Sequence, residues 1–242
     1  MDETLRLSMW SGPRNVSTAL MYSFRQRADT RVVDEPLYAH YLHASGAAHP
    51  GRHEVLASLP RDAGRVLAET ILAPVDAPVL FIKNMAHHLL GVERSLLGRV
   101  TNALLTRDPW EMLPSLAEQI PSPALADTGL QQQVEILDFE LARGRAPVVL
   151  DARELLTDPE TVLTKACGRL GIGFDPAMLS WPAGPKPEDG VWAEHWYDSA
   201  HRSTGFMAYR AKTEPFPERL RDLLAACLPL YERLAAHAIL AP

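Results

Sequence analysis

Residues 10–20 read WSGPRNVSTAL. The run Leu5 to Met9 before them alternates apolar and polar side chains, and MYSFRQR after them continues toward a helix. The stretch therefore reads as a strand, a tight Gly-Pro turn and a helix start. Such a junction suits an anion, because free backbone N–H groups and the positive end of the helix dipole converge there. It is not the Walker pattern G-x-x-x-x-G-K-[ST]. Counting from Gly12, Ser17 stands at the second glycine and Thr18 at the lysine. The loop's own cation is Arg14, and Ser17 alone would be an ordinary helix cap.

Further strands are expected at Arg31–Asp34, Pro78–Lys83, Thr101–Thr106 and Pro147–Asp151, after a first at Arg6–Trp10. Helices are expected at Ser17–Gln26, Asp62–Leu72, Leu89–Leu97, Pro109–Glu118, Thr128–Arg143 and Asp158–Leu170. This alternation predicts an α/β fold, a parallel sheet covered by helices on both faces. PVLFIK and PVVLD are near-continuous apolar runs, as strands buried on both faces require. Residues 174–210 are rich in proline, then in aromatic and polar residues. They read as an irregular region folding over the sheet within a single domain, residues 1–242. A last amphipathic helix, Pro217–His237, is expected to break near Pro229. Residues 38–61, with His40, His43, His49 and His53, read as a loop or short helices near the site mouth.

Length and composition set the frame. The 242 residues, 47% hydrophobic and 22% charged, suit one large soluble domain. A net charge of −6 argues against a general nucleic-acid surface. Cys167 and Cys227 lie in helical runs without metal-ligand spacing and are expected to be buried thiols in a reducing compartment. MDETLRLSMW carries acids early and no long apolar run, so no secretory signal is expected, and no stretch is long enough to span a membrane. The expectation is a soluble cytoplasmic protein with no nucleic-acid or membrane partner. Oligomeric state is not legible.

In open α/β folds ligands sit beyond the carboxyl ends of the strands. Strand one delivers Gly12, Pro13, Arg14, Asn15, Val16, Ser17 and Thr18. Strand two delivers Asp34-Glu35-Pro36, which by itself reads as two solvated acids before a turn. Strand three delivers Lys83 where a Walker B aspartate would hold magnesium, which counts against a metal-dependent NTPase. Strand four delivers Arg107, with Ser115 eight residues later in the following helix.

Together these residues resemble the PAPS-dependent sulfotransferases. That family's 5′-phosphosulfate loop P-K-S-G-T-T is similar to Pro13-Arg14-Asn15-Val16-Ser17-Thr18. Its 3′-phosphate pair, an arginine at a strand end and a serine eight residues on, is similar to Arg107 and Ser115. VVLDARELLTDPETVLTKACGRLGIGFDPAML resembles its later strand, helix start and turn. Glu35-Pro36 and Lys83 resemble the glutamate base and lysine of the carbohydrate-type subgroup. The aryl and steroid subgroup uses a histidine, for which His87 and His88 remain candidates. The resemblance implies a three-layer P-loop-like sulfotransferase fold. It implies metal-independent, in-line transfer of a sulfuryl group from PAPS to a hydroxyl acceptor, with PAP leaving. Glu35 would be the base, Arg14 and Lys83 would stabilise charge, and residues 12–18, Arg107 and Ser115 would hold the nucleotide, with Arg202 and Ser203 approaching it.

Two residues depart from that pattern. Arg14 stands for the family's lysine, and arginine is a poor general acid because it does not lose its proton. Val16 stands for a loop glycine and resists positive φ. A non-catalytic nucleotide-binding protein on the same fold therefore stays open, and a P-loop phosphotransferase is the third reading. The histidines match no standard metal spacing. The histidine-rich stretch His40–His53 and the cluster Trp192, Trp196 and Tyr197 are expected to line the acceptor pocket, and the acceptor's identity is not legible.

Overall fold

Five short apolar-rich runs build five strands: β1 Leu5–Ser11, β2 Thr30–Asp34, β3 Val79–Met85, β4 Thr101–Thr106 and β5 Val148–Asp151. They form one parallel sheet in the order β2-β3-β1-β4-β5. The computed structural model describes residues 4–242. Asp2 and Glu3, the early acids of the N-terminal reading, lie outside them. The helices are α1 Ser17–Arg25, α2 Tyr38–Ser45, α3 Arg52–Ser58, α4 Ala63–Val66, α5 Pro109–Ala117, α6 Leu125–Thr128, α7 Leu130–Ala142, α8 Ala152–Thr157, α9 Pro159–Arg169, α10 Ala193–Trp196, α11 Asp198–Arg202 and α12 Arg221–Ala235. Among the described residues no helix is long and apolar enough to cross a membrane.

The period-two rule sends each strand's side chains to two cores. Leu7, Met9, Phe81, Leu105 and Leu150 pack with Leu20 and Phe24 of α1 and with Val162 and Leu163 of α9. Trp10, Leu80, Ile82 and Leu104 pack with Met112 of α5, Leu137 of α7 and Leu224 of α12. The sheet is thus the middle of three layers, as expected. A smaller cluster joins Tyr38 and Leu42 of α2 and Val55 of α3 to Trp192 and Tyr197, tying residues 174–210 to the carboxyl end of the sheet.

All five expected strands form, with ends displaced by no more than two residues. The helices differ more. Leu89–Leu97 is not an α-helix. Two 3₁₀ turns, Ala86–Leu89 and Arg94–Gly98, flank Gly91, whose φ of 70° suits glycine and ends a right-handed helix. Expected helix Asp62–Leu72 starts as α4 and widens into a π turn at Leu67–Ile71. Expected helix Thr128–Arg143 starts only at Leu130, because Gly129 is left-handed with φ 71° and separates α6 from α7. α12 runs through Pro229 without the expected break. Pro229 and Ala225 are both exposed, so water can serve the carbonyl that proline leaves without its N–H partner. Both cysteines are free and buried.

One side chain fixes the spacing of the strands that carry the site. Gln133 of α7 is fully buried, and its Nε2 donates to the Trp10 carbonyl at 2.9 Å and the Leu105 carbonyl at 2.8 Å. These oxygens close the ends of β1 and β4, where the two strands part. Replacing Gln133 with leucine keeps the volume and removes both bonds. Gln133→Leu should lower unfolding free energy by about 0.5–1.5 kcal/mol, one net hydrogen bond, because the Leu105 carbonyl keeps its bond from Asn15 and only the Trp10 carbonyl loses its side-chain donor. Urea denaturation would test this, and an unchanged midpoint would show that Gln133 does not brace the strand ends.

Candidate active site

The loop after β1 keeps its shape through backbone approach and one amide. A Cβ on Gly12 would lie 2.8 Å from the Thr128 carbonyl oxygen, so only glycine lets the loop pass α6 at this distance. Asn15 Nδ2 donates to the Leu105 carbonyl at 2.9 Å and to Ser11 Oγ at 3.2 Å, tying the loop to the end of β4. The left-handed residue of the loop is Arg14, with φ 55°, whereas Val16 has φ −86°. Valine at 16 therefore causes no strain, because the turn is made two residues earlier. No side chain caps α1. Its first-turn N–H groups are left for an outside acceptor, and no acid stands in that turn to compete.

Three of the expected anion-binding residues meet beside this loop. Arg14 Nε donates to Ser115 Oγ at 3.0 Å, and Arg107 Nη1 donates to the Arg14 carbonyl at 3.0 Å. Arg107 also reaches the Glu111 carboxylate at 3.2 Å. Burial works against the Arg14 charge; Glu118 supports it, Arg107 opposes it again, and the net effect lowers its pKa. An anion between two such guanidinium groups would relieve their repulsion. Arg14 was expected beside Lys83 at the transferred group. Its guanidinium lies instead at the Arg107–Ser115 end.

The second centre is buried. β2 and β3 place Asp34 and Lys83 as direct neighbours across the sheet. Lys83, 1% exposed, donates to Asp34 Oδ1 at 2.9 Å and to Glu35 Oε1 at 2.5 Å. Asp34 and Glu35 are each 6% exposed, so the reading of two solvated acids does not hold. Glu35 is also left-handed, with φ 37°, and its N–H donates to the Lys83 carbonyl at 2.9 Å. Burial pushes the Glu35 pKa up and the Asp34 charge adds to the rise; Lys83 and Tyr197 oppose it without cancelling it. Burial by itself lowers the Lys83 pKa, but the two carboxylates outweigh it and hold the lysine above its ordinary value.

A cavity of about 250 Å³ connects the two centres. Pro13 through Thr18, Glu35, Lys83, Arg107, Ser115 and Ser203 all line it. Gly12, which passes close to the Thr128 carbonyl, does not. Arg202 does not either, contrary to expectation: it pairs with Asp198 and its side chain is 70% exposed. Beyond Glu35 the cavity is bounded by aromatic rings and histidines. His88 stacks between Tyr38 and Tyr41, with ring centroids 4.9 Å from each. Burial drives the His87 pKa down to about 3 and that of His88 well below the ordinary histidine value, so both are neutral. Among the described residues no group of three or more His, Cys, Asp and Glu side chains is placed to hold a metal ion.

Sequence reasoning missed Asp34 as the counter-ion of Lys83, although cross-strand register could have suggested it. It also missed Asp189. That buried carboxylate accepts from Tyr22 OH at 2.8 Å and from the Lys186 N–H at 2.7 Å, and lies 3.0 Å from His201 Nε2. It anchors the segment over the cavity, and no local pattern marks it.

A family profile described as "Sulfotransferase domain" matches residues 5–238. Two Arabidopsis thaliana proteins, described as branched-chain-amino-acid aminotransferase-like proteins 1 and 2, are 42% and 41% identical to the chain. The matches cover 98% and 94% of this chain but 43% and 41% of those proteins, so the chain spans less than half of their length. A sulfotransferase domain from the curacin biosynthetic pathway shares the fold with TM-score 0.56 and 14% identity, over 95% of this chain and 99% of that one. A sulfotransferase from Alicyclobacillus acidocaldarius does so with TM-score 0.54 and 15% identity, over 98% of each chain.

The close approach at Gly12 makes a local prediction. Gly12→Ala should push the loop off α6 and lower stability by about 1–3 kcal/mol, as overpacking does. Thermal melting would show the loss, and an unshifted midpoint would mean that the loop has room to move aside.

Proposed function

The chain belongs to the sulfotransferase domain family, and from that membership we propose that it transfers a sulfuryl group from PAPS to a hydroxyl of a small-molecule or carbohydrate-like acceptor. The observation that carries this reading is the single cavity joining a two-guanidinium anion site to a buried lysine–glutamate pair. The donor set fits a nucleotide with separated charges. The uncapped start of α1, Arg14, Arg107 and Ser115 offer backbone and side-chain donors at one end, and Lys83 offers an ammonium at the other. PAPS would supply an activated sulfuryl group and PAP as the leaving group.

The chain's own residues then divide the work. Glu35 takes the proton of the acceptor hydroxyl; a carboxylate with a raised pKa suits that task near neutral pH. Lys83 lies against Glu35 and supplies positive charge where charge develops on the sulfuryl oxygens. Arg14 serves the phosphates rather than the sulfuryl oxygens, because its Nε is turned to Ser115. Its inability to lose a proton is then no handicap. His87 and His88 are weak candidates for the base, since their lowered pKa values make them poor proton acceptors. Ser203 stands at the rim of the same cavity. The scheme calls for no metal.

Nucleotide choice tests the anion site. Arg107→Ala should weaken PAP binding by roughly tenfold or more, the size of one lost hydrogen bond to a charged group. Adenosine 5′-phosphate, which lacks the 3′-phosphate, should lose much less. Equal losses in calorimetry would remove Arg107 from the 3′-phosphate role.

Glu35 is tested by rate and pH together. Glu35→Gln should keep PAP binding while single-turnover transfer falls by about 10²–10⁴-fold. Glu35 acts as a base only above its pKa. Because that pKa is raised, wild-type kcat/KM should decline with falling pH at a midpoint above the ordinary glutamate value of about 4.3. An unchanged rate in the variant would pass the base role to another group.

A further inference from the structure

The Lys83 ammonium has three N–H bonds, and three oxygens meet it. Asp34 Oδ1 and Glu35 Oε1 come from the end of β2, and the third is the hydroxyl of Tyr197. Tyr197 lies between α10 and α11, in the segment that covers the cavity. Its hydroxyl accepts from Trp192 Nε1 at 3.0 Å as well as from Lys83, which uses both lone pairs. Its single proton is left for the carboxylates: the Asp34 oxygens at 2.8 and 2.9 Å, and Glu35 Oε1 at 3.3 Å. Every hydrogen-bonding direction of this hydroxyl is therefore spent on the lysine–carboxylate centre or on the indole that holds it.

We propose that Tyr197 is a positioning residue of the transfer centre, its hydroxyl fixing the Lys83 ammonium against Glu35 and favouring the ionised carboxylate pair. The proposal rests on the reading of Glu35 as base and Lys83 as its cationic partner. The ring and the hydroxyl have separable tasks. The ring packs with Tyr38, Trp192 and Ala193 and keeps the segment closed. The hydroxyl makes the hydrogen bonds to the charged groups, while the ring face lies 4.7 Å from the Lys83 ammonium and keeps that contact when the hydroxyl is removed. Removing the hydroxyl while keeping the ring would leave one Lys83 N–H free to swing and one fewer donor on the two carboxylates.

The groups acting on Glu35 are Asp34 beside it, Lys83 on β3, Tyr38 on α2 and Tyr197 above, while His88 in the turn after β3 lies near Lys83. His88 is neutral, and Tyr38, Tyr197 and Lys83 titrate above their ordinary values. With the Tyr197 hydroxyl gone, Glu35 loses a contact that holds its pKa down, so its titration moves to higher pH.

The experiment compares wild type with Tyr197→Phe and with Tyr231→Phe, which loses a hydroxyl–carboxylate contact (to Asp151, 3.0 Å) away from the cavity. The Glu35 carboxyl is titrated by NMR on each protein, alongside kcat and KM with PAPS, PAP affinity and melting temperature. Tyr197→Phe should move the Glu35 titration to higher pH. It should lower kcat roughly tenfold, a loss of about 1.4 kcal/mol of transition-state stabilisation, and leave PAP affinity nearly unchanged. Tyr231→Phe should move neither the Glu35 titration nor kcat. A Tyr197→Phe protein with the wild-type titration and kcat overturns the proposal, whatever its melting temperature. If wild type binds no PAP, the donor assignment fails, while the NMR titration still decides whether Tyr197 holds Glu35 ionised.

Discussion

The architecture of the site depends on one buried cation. Lys83 projects from a strand whose residues are all buried, at a place where an apolar side chain would fit the sequence pattern equally well. Taking an ammonium out of water costs several kcal/mol even after relaxation, and only closely placed opposite charges offset it. Asp34 and Glu35 must therefore sit at the end of β2, β2 must lie beside β3, and the chain must turn sharply at Glu35. A third oxygen must come from elsewhere, and the Tyr197 hydroxyl supplies it. Such a cluster is a poor way to stabilise a fold. Its value lies in holding a carboxylate and an ammonium in contact at the wall of a cavity.

The same economy of position governs the loop. Arg14 and Glu35 are the only non-glycine residues with positive φ among the described residues. Each such conformation costs on the order of 1–3 kcal/mol and persists only where surrounding structure dictates it. The surroundings are identifiable. Arg14 is held by Arg107 on its carbonyl and Ser115 on its side chain, and the loop around it by Asn15. Glu35 is held through its N–H by the Lys83 carbonyl and through its carboxylate by the Lys83 ammonium. Both strained residues face one cavity from opposite ends, at the carboxyl edge of the sheet where open α/β folds place their ligands.

The segment that closes the cavity is held by polar contacts as much as by apolar ones. Asp189 ties it to Tyr22 of α1, while Arg25 pairs with Glu188 at 2.7 Å. The Gly190 N–H reaches back to Asp34 Oδ2 at 3.4 Å. Covering segment and charged centre thus share partners, so the geometry of Lys83 depends on residues that lie far along the chain. That arrangement gives the aromatic half of the cavity its shape and removes water from the lysine–carboxylate contact, which strengthens it.

The sequence by itself determined the five strands, the parallel sheet, the loop after β1 and the identity of most cavity residues. These rest on local physics: apolar periodicity, glycine and proline at turns, and strand ends that deliver Arg14, Glu35, Lys83 and Arg107 to one edge. It read helices too generously, since Gly91 and Gly129 end them by adopting left-handed backbone, while Pro229 is tolerated on an exposed face where water can serve the Ala225 carbonyl. Only the tertiary structure decided which charges pair. Arg14 turns to Ser115 rather than to Lys83, Arg202 turns outward to Asp198, and Tyr197 and Asp34 complete the lysine's shell. Those pairings join residues separated by up to 163 positions. Their energies come from burial, and burial belongs to the folded chain as a whole and not to any segment of it.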